Sequence, residues 1–222
     1  MEKKIFIGID LGGKEKRTTG VCILEKSDQN LIFAKDYCQK CEDVFGKDIL
    51  KVIRPYLKNT EVIAIDAPLT KGRGKGRMRL YEKFLSTKIF RQERINPIPP
   101  ALMRNFCDFA QELVKKLEKR GFVLDLNLIE TFPTIIKKIC QEDIFLRNLP
   151  CQNENQKSAS ICAQIAVLHS QFKTRYLGYK DGFLFLPEIN FWKKEWRQKF
   201  YQAWKGRPRL RYYHLITNIF IK

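Results

Sequence analysis

Short apolar runs, each ending on a charged or turn-forming residue, set the rhythm of this chain. Lys4–Ile9 and Val21–Leu24 read as strands separated by a Gly- and Thr-rich turn, which predicts a hairpin with a longer loop. Leu31–Tyr37 is a third strand candidate. Apolar residues at roughly helical spacing predict a helix over Val44–Leu57. The run Val62–Ile65 is almost wholly apolar and ends in Asp66 and a proline, the pattern of a strand buried on both faces. Met78–Leu85 reads as a short helix and Ala101–Arg120 as a long amphipathic one closed by Gly121. Val123–Ile129 is a further strand, ending at Glu130, and Pro133 opens a helix over Thr134–Cys140. After a polar loop over 147–157, Ala159–Arg175 reads as a helix rich in small residues, and Gly182–Pro187 as one last strand. No internal repeat is visible.

These elements predict an α/β protein of 222 residues: one domain over 1–188 and a basic, aromatic extension over 189–222. The extension carries all three tryptophans. Over residues 190–222 it has nine Lys or Arg against one acid, Glu195. Interleaved aromatic and basic residues suit a surface that stacks single-stranded bases. Trp192, Trp196, Phe200 and Trp204 also stand four residues apart, as a helix docking one face onto the body would place them. The two readings are compatible.

The charge changes the picture most. Lys and Arg number 42 against 24 Asp and Glu, a net +18, which points to a polyanionic partner, nucleic acid ahead of acidic lipid. No apolar run reaches the ~20 residues of a membrane span, and Asp10 interrupts the N-terminal apolar stretch, so a soluble, cytoplasmic protein is expected. Seven cysteines fit a reducing compartment. Cys38 and Cys41 form one C-x-x-C, but no second pair is spaced to close a zinc site, which favours core or strand-end thiols.

Three acids, Asp10, Asp66 and Glu130, each terminate a predicted strand. Strand ends of a parallel sheet share one crevice, so these acids could converge there. Gathered carboxylates repel unless a cation lies among them, and hard oxygen ligands suit Mg²⁺ or Mn²⁺. Each acid also has an ordinary reading as a turn former, and Glu130 could serve a following helix N-terminus. The glycine-basic loop "KGRGKGR" lacks P-loop spacing. Phosphate partners are expected at Lys14, Lys16 and Arg17 of the first turn and at Lys71, Arg73, Lys75, Arg77 and Arg79. Thr18 and Thr19 are expected beside the former group, and Gly12 and Gly13 are expected to let that turn fold back.

The segments "IGIDLGGKEKRTTGVCIL", "VIAIDAPL", "RLYEKFL", "NPIPPALM" and "LIETFPT" occur in the order of a known family. Over about residues 4–187 the chain resembles the DUF429 family of predicted nucleases with an RNase H-like fold. The resemblance implies a mixed sheet, with the first three strands antiparallel and the later ones parallel, flanked by helices. It implies Asp10 and Asp66 as metal ligands and catalytic residues, with Glu130 as a third acid. Two departures stand out. Ser158 occupies a place where family members often carry an Asp, leaving Glu154 or Asp143 as stand-ins, and Glu82 replaces a usual Asp. The expectation is a metal-dependent nuclease hydrolysing DNA or RNA. The alternative is an inactive nucleic-acid-binding module on the same fold. The "GIDLGG…TG" stretch also resembles the phosphate loop of the sugar kinase and actin superfamily, a reading weakened by chain length and the absence of a second copy.

Overall fold

The computed structural model describes residues 3–26, 38–71, 78–98, 100–140, 151–207 and 214–220. A five-stranded mixed sheet forms the centre, in the order β3-β2-β1-β4-β5. Its strands are β1 (Lys4–Asp10), β2 (Thr19–Lys26), β3 (Cys38–Val44), β4 (Thr60–Asp66) and β5 (Leu128–Glu130). β1, β2 and β3 run antiparallel to one another, whereas β4 runs parallel to β1 and β5 parallel to β4. The strand expected over Leu31–Tyr37 lies outside the described residues; the described third strand begins at Cys38.

The helices are α1 (Ile49–Ile53), α2 (Leu80–Leu85), α3 (Lys88–Gln92), α4 (Arg104–Glu118), α5 (Pro133–Ile139), α6 (Glu154–Ser170) and α7 (Lys194–Gly206). One face of the sheet, with Ile7, Ile9, Ile23, Ile63 and Ile65, packs on the apolar face of α4 through Ala110, Leu113 and Leu117. The other face receives α6. That helix is buried along nearly its whole length and can lie against the backbone because Gly8 and Gly20 carry no side chain. A Cβ on Gly8 would fall 2.0 Å from the Ala159 carbonyl oxygen, and one on Gly20 2.3 Å from that of Asn155. The small residues read in this helix, Ala159 and Ala163, complete the close approach.

Three differences from the sequence reading have local causes. β5 is shorter than the apolar run because Asp125 adopts a left-handed φ of 64°, turning Leu124–Asn127 back before the strand begins. The α6 helix starts earlier, at Glu154, where the Asn153 side chain accepts from the Gln156 N–H and caps it. It also ends earlier, and Thr174–Tyr179 becomes β6. β6 pairs with β7 (Gly182–Pro187) and with β8 (Ile216–Thr217) in a second, antiparallel sheet.

The segment beyond 188 is built into this body. Trp192, Trp196 and Phe200 are buried, and Phe200 meets Trp192, Phe90 and Phe84 at ring-centroid distances of 4.7, 4.9 and 6.0 Å. Trp196 and Phe200 dock from α7 and Trp192 from the segment just before it, and Trp192 and Trp196 are not open to stacking bases. Among the described residues, no helix is long and apolar enough to cross a membrane.

Candidate functional site

Asp10 and Asp66 close the two central strands. Their Cα atoms are register partners across the parallel β1–β4 pair, so the carboxylates stand side by side at the carboxyl end of the sheet. Both line a cavity of about 340 Å³, together with Arg94, Asn96, Phe132 and Thr134. Burial pushes the Asp10 carboxyl up to about 6; Lys137 opposes the shift and Asp43 adds to it. Asp66 is raised further, first by burial, then by the negative charges of Asp10 and Glu130, with Lys137 again opposing. Two carboxyls are thus held where their charged forms are costly.

Glu130 ends β5 beside them but is otherwise engaged. Its carboxylate accepts Arg79 Nη1–H at 2.6 Å, Arg79 Nη2–H at 2.7 Å and the Leu69 N–H at 2.9 Å, and the Tyr81 hydroxyl donates to it as well. This corrects two expectations. Glu130 serves no helix N-terminus, since Phe132 precedes α5, and its oxygens are already filled by a cation and two neutral donors. Among the described residues, no group of three or more His, Cys, Asp or Glu is arranged to hold a metal ion.

Arg79 requires the larger correction. The expectation placed it on a phosphate, but it is 1% exposed. Nε donates to Glu82 Oε1 at 3.0 Å, and Nη2 donates to Glu82 Oε1 at 2.6 Å as well as to Glu130. Nη1 donates to Thr70 Oγ1 at 3.2 Å as well as to Glu130. Every arm of the guanidinium fork is occupied. Its plane lies 4.6 Å from the Tyr81 ring centroid, and Glu82 reaches back to its backbone N–H at 2.7 Å. Arg79 is an internal counter-cation for Glu82 and Glu130. The loop after Asp66 is tied to it through Leu69 and Thr70, and Thr70 Oγ1 donates onward to the Asp181 carbonyl at 2.7 Å.

The first turn is where the expectation put it, directly after Asp10, with Lys14, Lys16 and Arg17 exposed. Gly12 is required there: a Cβ would meet the Thr18 carbonyl at 2.4 Å. Gly13 would meet only ordinary contacts at 3.5 Å. Thr19 and Thr18 hold the turn by accepting the Gly12 and Gly13 N–H groups, and Thr19 is buried, so it is not a surface for phosphate. Arg17 Nε donates to the Asp43 carbonyl at 2.9 Å. Lys71 is exposed and pairs with Asp108 at 3.2 Å. Arg73, Lys75 and Arg77 lie outside the described residues, as does Asp143.

The sequence reading missed Lys137. From α5 its ammonium donates to Glu154 Oε2 at 3.1 Å and to Ser158 Oγ at 3.2 Å, and its charge acts on both Asp10 and Asp66. A cation has thus taken up station beside Ser158. Only the fold brings these residues together, since "TIIKKI" reads as an ordinary amphipathic turn. Arg94, also missed, sits at the cavity with a left-handed φ of 57°. The chain matches no family model, no curated protein and no solved structure.

Proposed function

We propose that the chain is a divalent-metal-dependent nuclease with an RNase H-like sheet, acting on the phosphodiester bonds of DNA or RNA. The observation that carries this reading is the Asp10–Asp66 pair: two partly buried carboxyls, adjacent on neighbouring parallel strands, lining one cavity. Paired carboxyls whose charged forms are raised in cost by burial and, at Asp66, by the neighbouring charge of Asp10 are the chemistry that a divalent cation relieves. The strand order and directions support the RNase H-like assignment.

Of the three acids, two fit a metal. Asp10 and Asp66 would hold one Mg²⁺ or Mn²⁺, leaving room for water and phosphate oxygens. When bound, such an ion supplies Lewis acidity and a more acidic water. Glu130 is a positioning residue. Through Leu69 and Arg79 it fixes the loop that follows Asp66. Arg94 and the Thr134 hydroxyl line the cavity where a phosphodiester would enter, and Lys14, Lys16 and Arg17 provide positive charge beside it.

The reading is tested by cleavage of labelled single- and double-stranded DNA and RNA in Mn²⁺. Wild type is expected to cut at least one substrate, and Asp66→Asn is expected to abolish cutting. Salt-sensitive binding without cleavage by wild type would instead support an inactive nucleic-acid-binding module. Lys137 favours that second reading, because an ammonium beside the pair supplies internally part of the charge an ion would bring.

A further inference from the structure

Four of the seven cysteines gather at one place distant in sequence. Cys22 on β2 and Cys41 on β3 are cross-strand register partners. The register slips between Ile23 and Leu24, where two residues of β3 oppose one of β2, and this puts Cys38 opposite Leu24 on the same face as Cys22 and Cys41. Cys151 arrives from just before α6. Its Sγ lies 3.7 Å from Cys41 Sγ, and the two thiols share one acceptor, the Gln156 carbonyl, at 3.6 and 3.8 Å. Cys41 and Cys151 are both half-buried, whereas Cys22 is fully enclosed.

We propose that Cys41 and Cys151 form a reversible disulfide site, with Cys151 the attacking thiol and Cys41 the resolving thiol. The pair follows from geometry: the two half-buried sulfurs are in contact and turn toward the same carbonyl. The hydrogen bond with Cys41 brings the Cys151 thiol down to about 7. Cys41 itself is raised, first by the hydrogen bond with Cys151, and keeps its proton. Of the two sulfurs in contact, Cys151 is the one ionised near neutral pH, and it is only half-buried.

The oxidant is a small-molecule disulfide of the glutathione class. The Cys151 thiolate attacks one of its sulfurs, forming a mixed disulfide and expelling one thiolate, which takes a proton from water. Cys41 then loses its proton to solvent as its sulfur attacks Cys151 Sγ, and the second small thiolate is expelled and takes a proton from water. Overall one protein dithiol and one small disulfide become one protein disulfide and two small thiols. The new bond would join β3 to the start of α6, segments 110 residues apart along the chain. That is the helix end whose Asn153 and Gln156 side chains both donate to Asp43.

The test uses the full chain, reduced and then exposed to oxidised glutathione, followed by peptide mapping without reductant and by thiol titration. The expected result is a single Cys41–Cys151 linkage and the disappearance of two titratable thiols per chain, both reversed by dithiothreitol. Cys41→Ser is expected to accumulate glutathione on Cys151, and Cys151→Ser to lose the linkage. Three results on wild type would each overturn the proposal, however the variants fold. One is all seven thiols remaining free. Another is a linkage between a different pair, such as Cys38–Cys41. The third is zinc bound to the thiols in the purified chain, which would make the cluster a metal site.

Discussion

Two groups of acids stand at the same end of the same sheet and are treated in opposite ways. Glu82 and Glu130 are closed in around Arg79, with bidentate contacts, a tyrosine hydroxyl and backbone donors meeting their oxygens. Asp10 and Asp66 stand side by side at the cavity, where burial first of all raises their proton affinities and Lys137 only partly opposes the shift. The first group has the completeness that buried charge needs in order to be structural. The second carries a cost that the fold leaves standing, and charge imbalance of this kind in a cavity marks functional sites more often than scaffolds.

The sharpest way to break this comparison is to make the complete group incomplete. Arg79→Met should cost about 3–5 kcal/mol in urea unfolding, because it strands two buried carboxylates. Adding Glu82→Gln and Glu130→Gln to that variant should recover much of the deficit. If Arg79→Met were near neutral, the network would not be the anchor its geometry describes.

Next in size is the response of the incomplete group to a cation. At an Mg²⁺ or Mn²⁺ concentration of a hundred times Kd, wild type should gain about 2.7 kcal/mol by linkage. Asp10→Asn and Asp66→Asn should lose that gain while remaining at least as stable as wild type in EDTA, since each removes half of a repulsive pair. Equal metal response in all three proteins would separate the pair from any metal role.

The contrast was half legible in the sequence. Asp10 and Asp66 could be found because each ends an apolar run, and an acid that stops a buried strand is conspicuous at any distance. Glu130 could be found in the same way, but its task could not. Its partner Arg79 lies 51 residues away and is one base among many in "KGRGKGRMR", with nothing in composition to mark it as the buried one. A local hint existed in the Arg79-to-Glu82 spacing of one helical turn. Lys137, and the cysteines converging from β2, β3 and the approach to α6, were illegible for the same reason: tertiary register, not local pattern, joins them. The second sheet was only partly readable, because "TRYLGY" lacks clean alternation and β8 is two residues long.

A third measurement uses protons in place of metal. The Asp10 carboxyl titrates at about 6 in the fold against an ordinary 3.8, so the folded chain binds more protons than the unfolded chain between those values. Its contribution is fully present below about pH 4 and is lost as pH rises through about 6, a change on the order of 3 kcal/mol. Asp125, also raised by burial to about 6, titrates in the same window, so the difference between wild type and Asp10→Asn removes its share and reports Asp10 together with its coupling to Asp66. Divalent metal should flatten that difference, because it competes with the proton for the same oxygens.

The smallest expected effect concerns the surface beside the pair, and it distinguishes charge that binds from charge that merely solvates. Lys14 already leans toward Glu112 at 3.7 Å and Arg17 gives one donor to a backbone carbonyl, so neither is wholly free, while Lys16 is exposed on the same turn. If this turn tracks a phosphate backbone, replacing all three with Ala should weaken nucleic-acid binding about equally for all sequences. It should also lower the slope of log K against log salt by about one for each phosphate-binding side chain removed. Folding stability should hardly move, since exposed ion pairs are worth little. A slope that stays at its wild-type value would place the phosphates elsewhere on the basic surface. The Asp10–Asp66 cavity would then need an approach path from another side.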